Sequence, residues 1–186
     1  MITDFFLALF LSLIQGLTEF LPVSSSAHLL FPSLIFGTKD FGIVFDISVH
    51  AGTLAAVIYY FKKEIQGLIK AWRPWVNDRD QQNYFLGLNL LVATLPIIIV
   101  GLFLSDFTES RFANTNSIAW TNLIFAVLLY VVFKSSAQSK SLAELTLTAA
   151  LIIGCFQALA IFPGASRSGM AITGALLIGL NLKDTS

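Results

Sequence analysis

Charge is scarce in this sequence. Of 186 residues only 12% are Asp, Glu, Lys or Arg, whereas 56% are hydrophobic, and mean hydropathy is +0.79. A soluble domain carries about 25% charged residues, so the deviation points to a membrane. The charges cancel to a net of zero, which gives a nucleic-acid partner no electrostatic support. A single cysteine, Cys155, excludes an intrachain disulfide and a cysteine-based zinc site. Its place inside an apolar run predicts inert burial. Lys and Arg are missing from Met1–Asp4 and no small-x-small cleavage site follows, so the first apolar segment reads as mature protein rather than a signal peptide. The sequence also lacks a Walker loop, a zinc-protease helix and a Gly-x-Ser-x-Gly elbow.

Apolar runs, by contrast, are abundant. Ile43–Phe61, Tyr84–Leu104 and Ser117–Phe133 each approach the roughly 20 helical residues that cross a bilayer core. Two further regions are interrupted: Phe5–Phe36 at Leu21-Pro22-Val23-Ser24, and Leu145–Leu180 at Phe162-Pro163-Gly164-Ala165-Ser166. Proline removes a backbone donor and drives the preceding residue out of the helical region, so each region should be two helices meeting at a bend. The arms after the bends, Ser24–Phe36 and Ser166–Leu180, are about 20 and 22 Å long as helices, against about 30 Å of hydrocarbon. They suit re-entrant hairpins, whose irregular backbone needs protein or a watery cavity around it.

The two broken regions share Gln, Leu, Phe, Pro and Ser in order, from Gln15 to Ser26 and from Gln157 to Ser168, a weak internal repeat. A hairpin returns to the side it entered, and three crossings separate the two. They must therefore enter from opposite faces, which is an inverted repeat. The expected fold is an all-α polytopic membrane protein with hairpins at 1–36 and 144–180 and three spanning helices within 43–133. Lys62, Lys63, Lys70, Arg73, Arg79, Lys134, Lys140 and Lys183 would lie on one side, with only Lys39 and Arg111 on the other. The positive-inside rule makes the first side cytoplasmic and the N-terminus and Ser105–Asn116 external. Trp72 and Trp75 beside those cations suit either interfacial anchoring or ordinary loop packing.

Ionisable side chains at membrane depth cost about 2.5–3.5 kcal/mol each and are functional candidates by default. Here they are Glu19, His28, Asp46, His50 and Arg167. Gln15 and Glu19 share a helix face, and the carboxylate could bind a divalent cation, act as a base, or pair with Arg167. Ser24, Ser25 and Ser26 open a half-helix; one serine suffices as a cap, and three hydroxyls with exposed N–H groups suit an anion. His28 follows on the same face, for a proton, a phosphate or a core contact. In the second bend Gly164 and Gly169 allow close backbone approach, Ser166 caps the next half-helix with Ser168 beside it, and Arg167 offers a planar fork to phosphate oxygens. Two helix N-termini and an arginine at one depth suit diphosphate better than a carboxylate. Asp46 and His50, four apart, read equally well as a structural hydrogen-bonded pair.

The stretches Gln15-Gly16-Leu17-Thr18-Glu19-Phe20-Leu21-Pro22-Val23-Ser24-Ser25-Ser26-Ala27-His28 and Pro163-Gly164-Ala165-Ser166-Arg167-Ser168-Gly169 resemble the two signatures of the undecaprenyl-diphosphate phosphatases, the bacitracin-resistance family. Phe45-Asp46 through His50-Ala51-Gly52-Thr53 resembles a third recurring stretch. The resemblance implies a bacterial inner-membrane hydrolase that converts undecaprenyl diphosphate to the monophosphate and phosphate for peptidoglycan synthesis, with a divalent cation, Mg or Ca. It implies catalytic roles for Glu19, Ser25, His28 and Arg167, with Glu19 on the metal. It implies substrate contacts from Gln15, Ser24, Ser26, Gly164, Ser166 and Ser168. Serine and water remain alternative nucleophiles. Ala171 stands where the family usually has threonine, with Thr173 two residues on. Family members continue past Ser186 with further spanning helices, which implies a truncated chain whose second hairpin is the less supported half. A flippase or transporter, or an inactive fragment, is the rival reading.

Overall fold

The computed structural model describes residues 2–73, 80–104 and 115–185, and its regular elements are helices. They are α1 (Ile2–Thr18), α2 (Ser25–Phe36), α3 (Ile43–Tyr60), α4 (Lys62–Ala71), α5 (Gln81–Phe103), α6 (Thr115–Ser135), α7 (Leu147–Ala158), α8 (Arg167–Leu177) and α9 (Leu182–Thr185), with short 3-10 turns at Leu142–Glu144 and Leu159–Ile161. Helices α3, α5 and α6 are long and apolar enough to cross a membrane. Their outer faces carry exposed Val44, Tyr60, Leu102, Phe103 and Trp120, a surface suited to lipid rather than water. The chain is an all-α, multi-span membrane protein.

Both interruptions fall at the prolines. In the first, Glu19 N–H still reaches the Gln15 carbonyl at 3.0 Å, and the chain then turns until Ser24 caps α2, its Oγ accepting from Ala27 N–H at 3.3 Å. Gly37 at φ 63° closes α2 in a left-handed cap. In the second, Gly164 at φ 93° makes the turn and Ser166 caps α8, accepting from Gly169 N–H at 3.1 Å. A side chain at Gly164 would collide with the Ile118 carbonyl of α6 as well as strain the backbone.

The buried core is concentrated in the second half. Ala150, Gly154, Ala158, Met170, Thr173, Gly174, Ala175, Leu176 and Leu180 are buried, against Leu11, Gln15, Ser24 and Leu29 in the first broken region. Helix α7 lies along α5 and α8, and α8 also packs on α6. At Gly154 the α7 backbone approaches the Ala93 carbonyl of α5 so closely that a Cβ would overlap it. The sequence-based expectation of a less supported second hairpin therefore reverses for packing. Two of the three spanning helices lean on that hairpin, while α1 contacts chiefly α2 and α3.

Three further expectations change. Cys155 is exposed: it neighbours Gly154 in sequence but lies off the face that α7 turns to α5. Trp72 packs its ring on Tyr84 at 5.3 Å and sits over Gly87, which favours packing; Trp75, Arg79 and Arg111 lie outside the described residues. The segment Phe61–Asn83 contains helix α4, whose Ile65, Leu68 and Ala71 turn inward and whose Lys62, Lys63 and Lys70 stay exposed.

The connection after α6 is pinned to the end of α8. Lys140 N–H donates to the Gly179 carbonyl at 2.9 Å and Asn181 N–H to the Lys140 carbonyl at 2.8 Å. Glu144 accepts from the Ser141 backbone N–H at 2.7 Å and hydroxyl at 3.1 Å, and these bonds hold its carboxyl below the ordinary value. A lowered folded value means that the stabilisation is present at neutral pH and lost as pH falls through that lowered value.

Candidate active site

The two bends meet. Ser168 Oγ donates to the Leu21 carbonyl at 2.6 Å, and Ser166 Oγ lies 3.4 Å from the same oxygen and 3.1 Å from Ser168 Oγ. These contacts cross about 145 residues of sequence and bring the N-termini of α2 and α8 together.

Glu19 lies at the junction, with a side chain 17% exposed. Its Oε2 accepts from Gln15 Nε2 at 2.8 Å and from Ser25 Oγ at 2.7 Å. Its Oε1 faces Arg167 Nη1 at 3.7 Å, an ion pair too long for a hydrogen bond. Arg167 is 57% exposed, so much of its surface stays open to a ligand. A cavity of about 660 Å³ has Glu19, Ser26, Asp46, His50 and Arg167 at its polar part and Ile47, Leu54 and Val57 along α3. A crevice of about 40 Å³ is lined by Glu19, Ser25, Ser26, Ser166 and Arg167. Gly164 holds the bend and donates no side chain; Ser24 is buried as a cap.

The two histidines lie in different surroundings. His28 Nδ1 donates to the Ser24 carbonyl of its own helix at 2.7 Å, and its ring lines a separate apolar cavity between α2 and α6 with Phe31, Leu34 and Ile118. His50 Nδ1 donates to the Asp46 backbone carbonyl at 2.7 Å, not to its carboxylate, and Nε2 turns to Glu19 Oε2 at 3.5 Å. A carbonyl only accepts, so Nδ1 carries the proton in both rings. His50 is the site residue that sequence reasoning underrated; the signal was a histidine inside an apolar span. Thr173 is fully buried, its hydroxyl on the Gly169 carbonyl at 2.7 Å, so it does not supply a contact in place of Ala171.

Among the described residues no group of three or more His, Cys, Asp or Glu side chains is arranged to hold a metal ion. Glu19 is the acidic side chain at the junction; its Oε2 already accepts from Gln15 Nε2 and Ser25 Oγ, and its Oε1 faces Arg167. Ions of the magnesium type need few protein ligands, because waters and phosphates complete their shell.

The family described as Bacitracin resistance protein BacA matches residues 8–186. A protein of Saccharophagus degradans named undecaprenyl-diphosphatase is 46% identical over 183 residues, 98% of this chain and 69% of that protein. One of the same name from Teredinibacter turnerae is 46% identical over 177 residues, 95% of this chain and 67% of its own length. Another, from Alcanivorax borkumensis, is 43% identical over 184 residues. Paired bends of matching residues and this breadth of identity lead to one conclusion: the chain belongs to the bacitracin resistance protein BacA family.

Proposed function

We propose that this chain is an undecaprenyl-diphosphate phosphatase of the bacterial inner membrane. It hydrolyses undecaprenyl diphosphate to undecaprenyl phosphate and phosphate, recycling the lipid carrier for peptidoglycan synthesis and conferring resistance to bacitracin. The relatives' shared name supports the reaction. The observation that carries the site is the 2.7 Å bond from Ser25 Oγ to Glu19 Oε2, between two helix N-termini and beside Arg167.

That pair has the geometry of a nucleophile and its base. Ser25 Oγ attacks the terminal phosphorus as its proton passes to Glu19. The bond from phosphorus to the bridging oxygen breaks and undecaprenyl phosphate leaves. Water then attacks the phosphoserine, phosphate departs, and the proton on Glu19 restores Ser25. Arg167 and the α2 and α8 N-termini hold the phosphate oxygens, with Ser24, Ser26, Ser166 and Ser168 shaping their approach and Gln15 orienting Glu19. His28, facing the α6 cavity, lies outside this proton path. A divalent cation held by Glu19 would neutralise charge on the phosphate oxygens. The apolar side of the cavity, Ile47, Leu54 and Val57, suits the first prenyl units.

The two bends read as re-entrant hairpins of an inverted repeat, since α2 and α8, at about 18 and 16 Å, are too short to span about 30 Å of hydrocarbon. The cation excess of Lys62, Lys63, Lys70, Lys134 and Lys140 supports a cytoplasmic placement of that side, with the N-terminus outside. A cysteine replacing Lys70 should then resist a membrane-impermeant thiol reagent in intact cells. Rapid labelling there would reverse the orientation.

The function is tested by phosphate release from undecaprenyl diphosphate by the purified chain in detergent. Release that disappears in Ser25→Ala is expected. Lipid movement across vesicles without any release of phosphate would replace the hydrolase with a flippase.

A further inference from the structure

We propose that helix α4 is a docking surface for anionic phospholipids, whose phosphodiester headgroups lie against Lys62, Lys63 and Lys70. The proposal goes beyond the phosphatase reading and does not depend on it.

The place of α4 follows from the helices on either side. The apolar span α3 ends at Tyr60, and α4 begins at Lys62. Phe61 joins them, its N–H on the Val57 carbonyl and its own carbonyl accepting from Ile65 N–H, both at 2.9 Å. The far end of α4 is tied to the start of the next span. Trp72 packs on Tyr84 and sits over Gly87, and a Cβ at Gly67 would meet the Asn83 side chain at 3.2 Å. At ten residues, about 15 Å, α4 is too short to cross about 30 Å of hydrocarbon. It therefore lies at the membrane surface where α3 leaves and α5 enters.

The residues of α4 sort into three faces at about 100° per residue. Gly67, Leu68 and Ala71 turn towards protein, with Ala71 buried against it. Ile65, Ile69 and Trp72 form an apolar stripe beside them, in which Ile69 and Trp72 are exposed. Lys62, Lys63 and Lys70 share the remaining face with Gln66, and all four are exposed. The one acid, Glu64, falls on the protein side rather than among the lysines. An apolar stripe next to a basic face is the pattern of a helix lying in a membrane surface, with acyl chains under one and headgroups over the other. Lys62 Nζ lies over the Tyr59 ring at 4.5 Å, which puts that ammonium beside the end of α3, where Tyr59 and Tyr60 are exposed as an aromatic belt would be. A zwitterionic headgroup brings its own ammonium to such a face and gains little. A headgroup of net negative charge gains about fivefold for each lysine near it.

The test uses the purified chain in phosphatidylcholine vesicles. Trp75→Phe and Trp120→Phe leave Trp72, at the end of α4, as the only tryptophan. Its fluorescence is quenched with phosphatidylglycerol or phosphatidylcholine brominated in the upper acyl chain. At low salt, phosphatidylglycerol should reach Trp72 with at least about a fivefold preference, the contribution of one lysine. About 0.5 M NaCl should reduce that preference below about twofold by screening. Combining Lys62→Gln, Lys63→Gln and Lys70→Gln should abolish it at low salt, with helix content unchanged by circular dichroism. Arginine at the same three positions should keep it, which separates charge from misfolding. Lys39→Gln, at the residue that faces Asp4 at 3.8 Å, should leave it as in the parent. Equal quenching by the two lipids in the parent, or a preference that survives either the salt or the three glutamines, would overturn the proposal. Its loss with the three arginines would overturn it as well.

Discussion

Glu19→Gln should lower phosphate release by roughly 10²–10⁴-fold, the range that a positioned general base contributes. The substitution is nearly isosteric. Its amide oxygen still accepts the Ser25 hydroxyl now held at 2.7 Å, but a neutral amide takes no proton from it. The same change removes the negative charge facing Arg167 at 3.7 Å and His50 at 3.5 Å, leaving the guanidinium to bind phosphate more tightly while the reaction slows. A fall in kcat is the expected pattern. Helix content by circular dichroism should match the parent. Turnover within about threefold of the parent would remove Glu19 from the role of base.

Arg167→Lys should cost about 10²–10³-fold in turnover, as loss of an electrostatic donor at the transition state does. Charge is kept, but the planar fork that meets two phosphate oxygens is replaced by a single ammonium. Stability should hardly change. Arg167 is 57% exposed and its ion pair with Glu19 makes no hydrogen bond, so solvent screens most of their attraction. Arg167→Ala should fall further than Arg167→Lys. Wild-type kinetics in Arg167→Lys would show that charge alone suffices, and unchanged turnover in Arg167→Ala would make the residue structural.

Both variants probe a junction that was partly legible beforehand. Pro22, Pro163 and Gly164 announce the bends because they act on their own backbone, whatever surrounds them. The three spans were legible because apolar length is a local property, and the ends of α3, α5 and α6 fall within two or three residues of the expected ones. Ser24 and Ser166 cap their helices, as serine before a helical run does. Helix α4 escaped notice because its apolar positions are few and its lysines read as a charged connection.

What no local rule reached was rotation and neighbourhood. His28 stands three residues from Ser25 and shares its helix, yet its ring faces α6, whereas His50, a whole connection away, turns its Nε2 to Glu19. The way α2 and α3 are turned about their axes is set by what packs on their other faces, and residue spacing carries no record of that. Cys155 shows the same limit: a hydrophobic run says that the segment avoids water, not whether protein or lipid covers a given side chain. The support of the second hairpin by α5 and α6 rests on glycines at 154 and 164, whose missing side chains let backbones touch.

By itself the sequence determined where the chain bends, which segments can cross a bilayer, and which polar groups are carried at a cost that only function or pairing offsets. Those properties depend on backbone dihedrals and on transfer of side chains from water, and both are settled within a few residues. Only the tertiary structure decided that Ser168 reaches the Leu21 carbonyl, that Ser25 and Arg167 converge on Glu19, and that His50 rather than His28 joins them. Those contacts span up to 147 residues, and they exist because burying the helix faces fixes each helix's rotation and depth, which no single segment can specify alone.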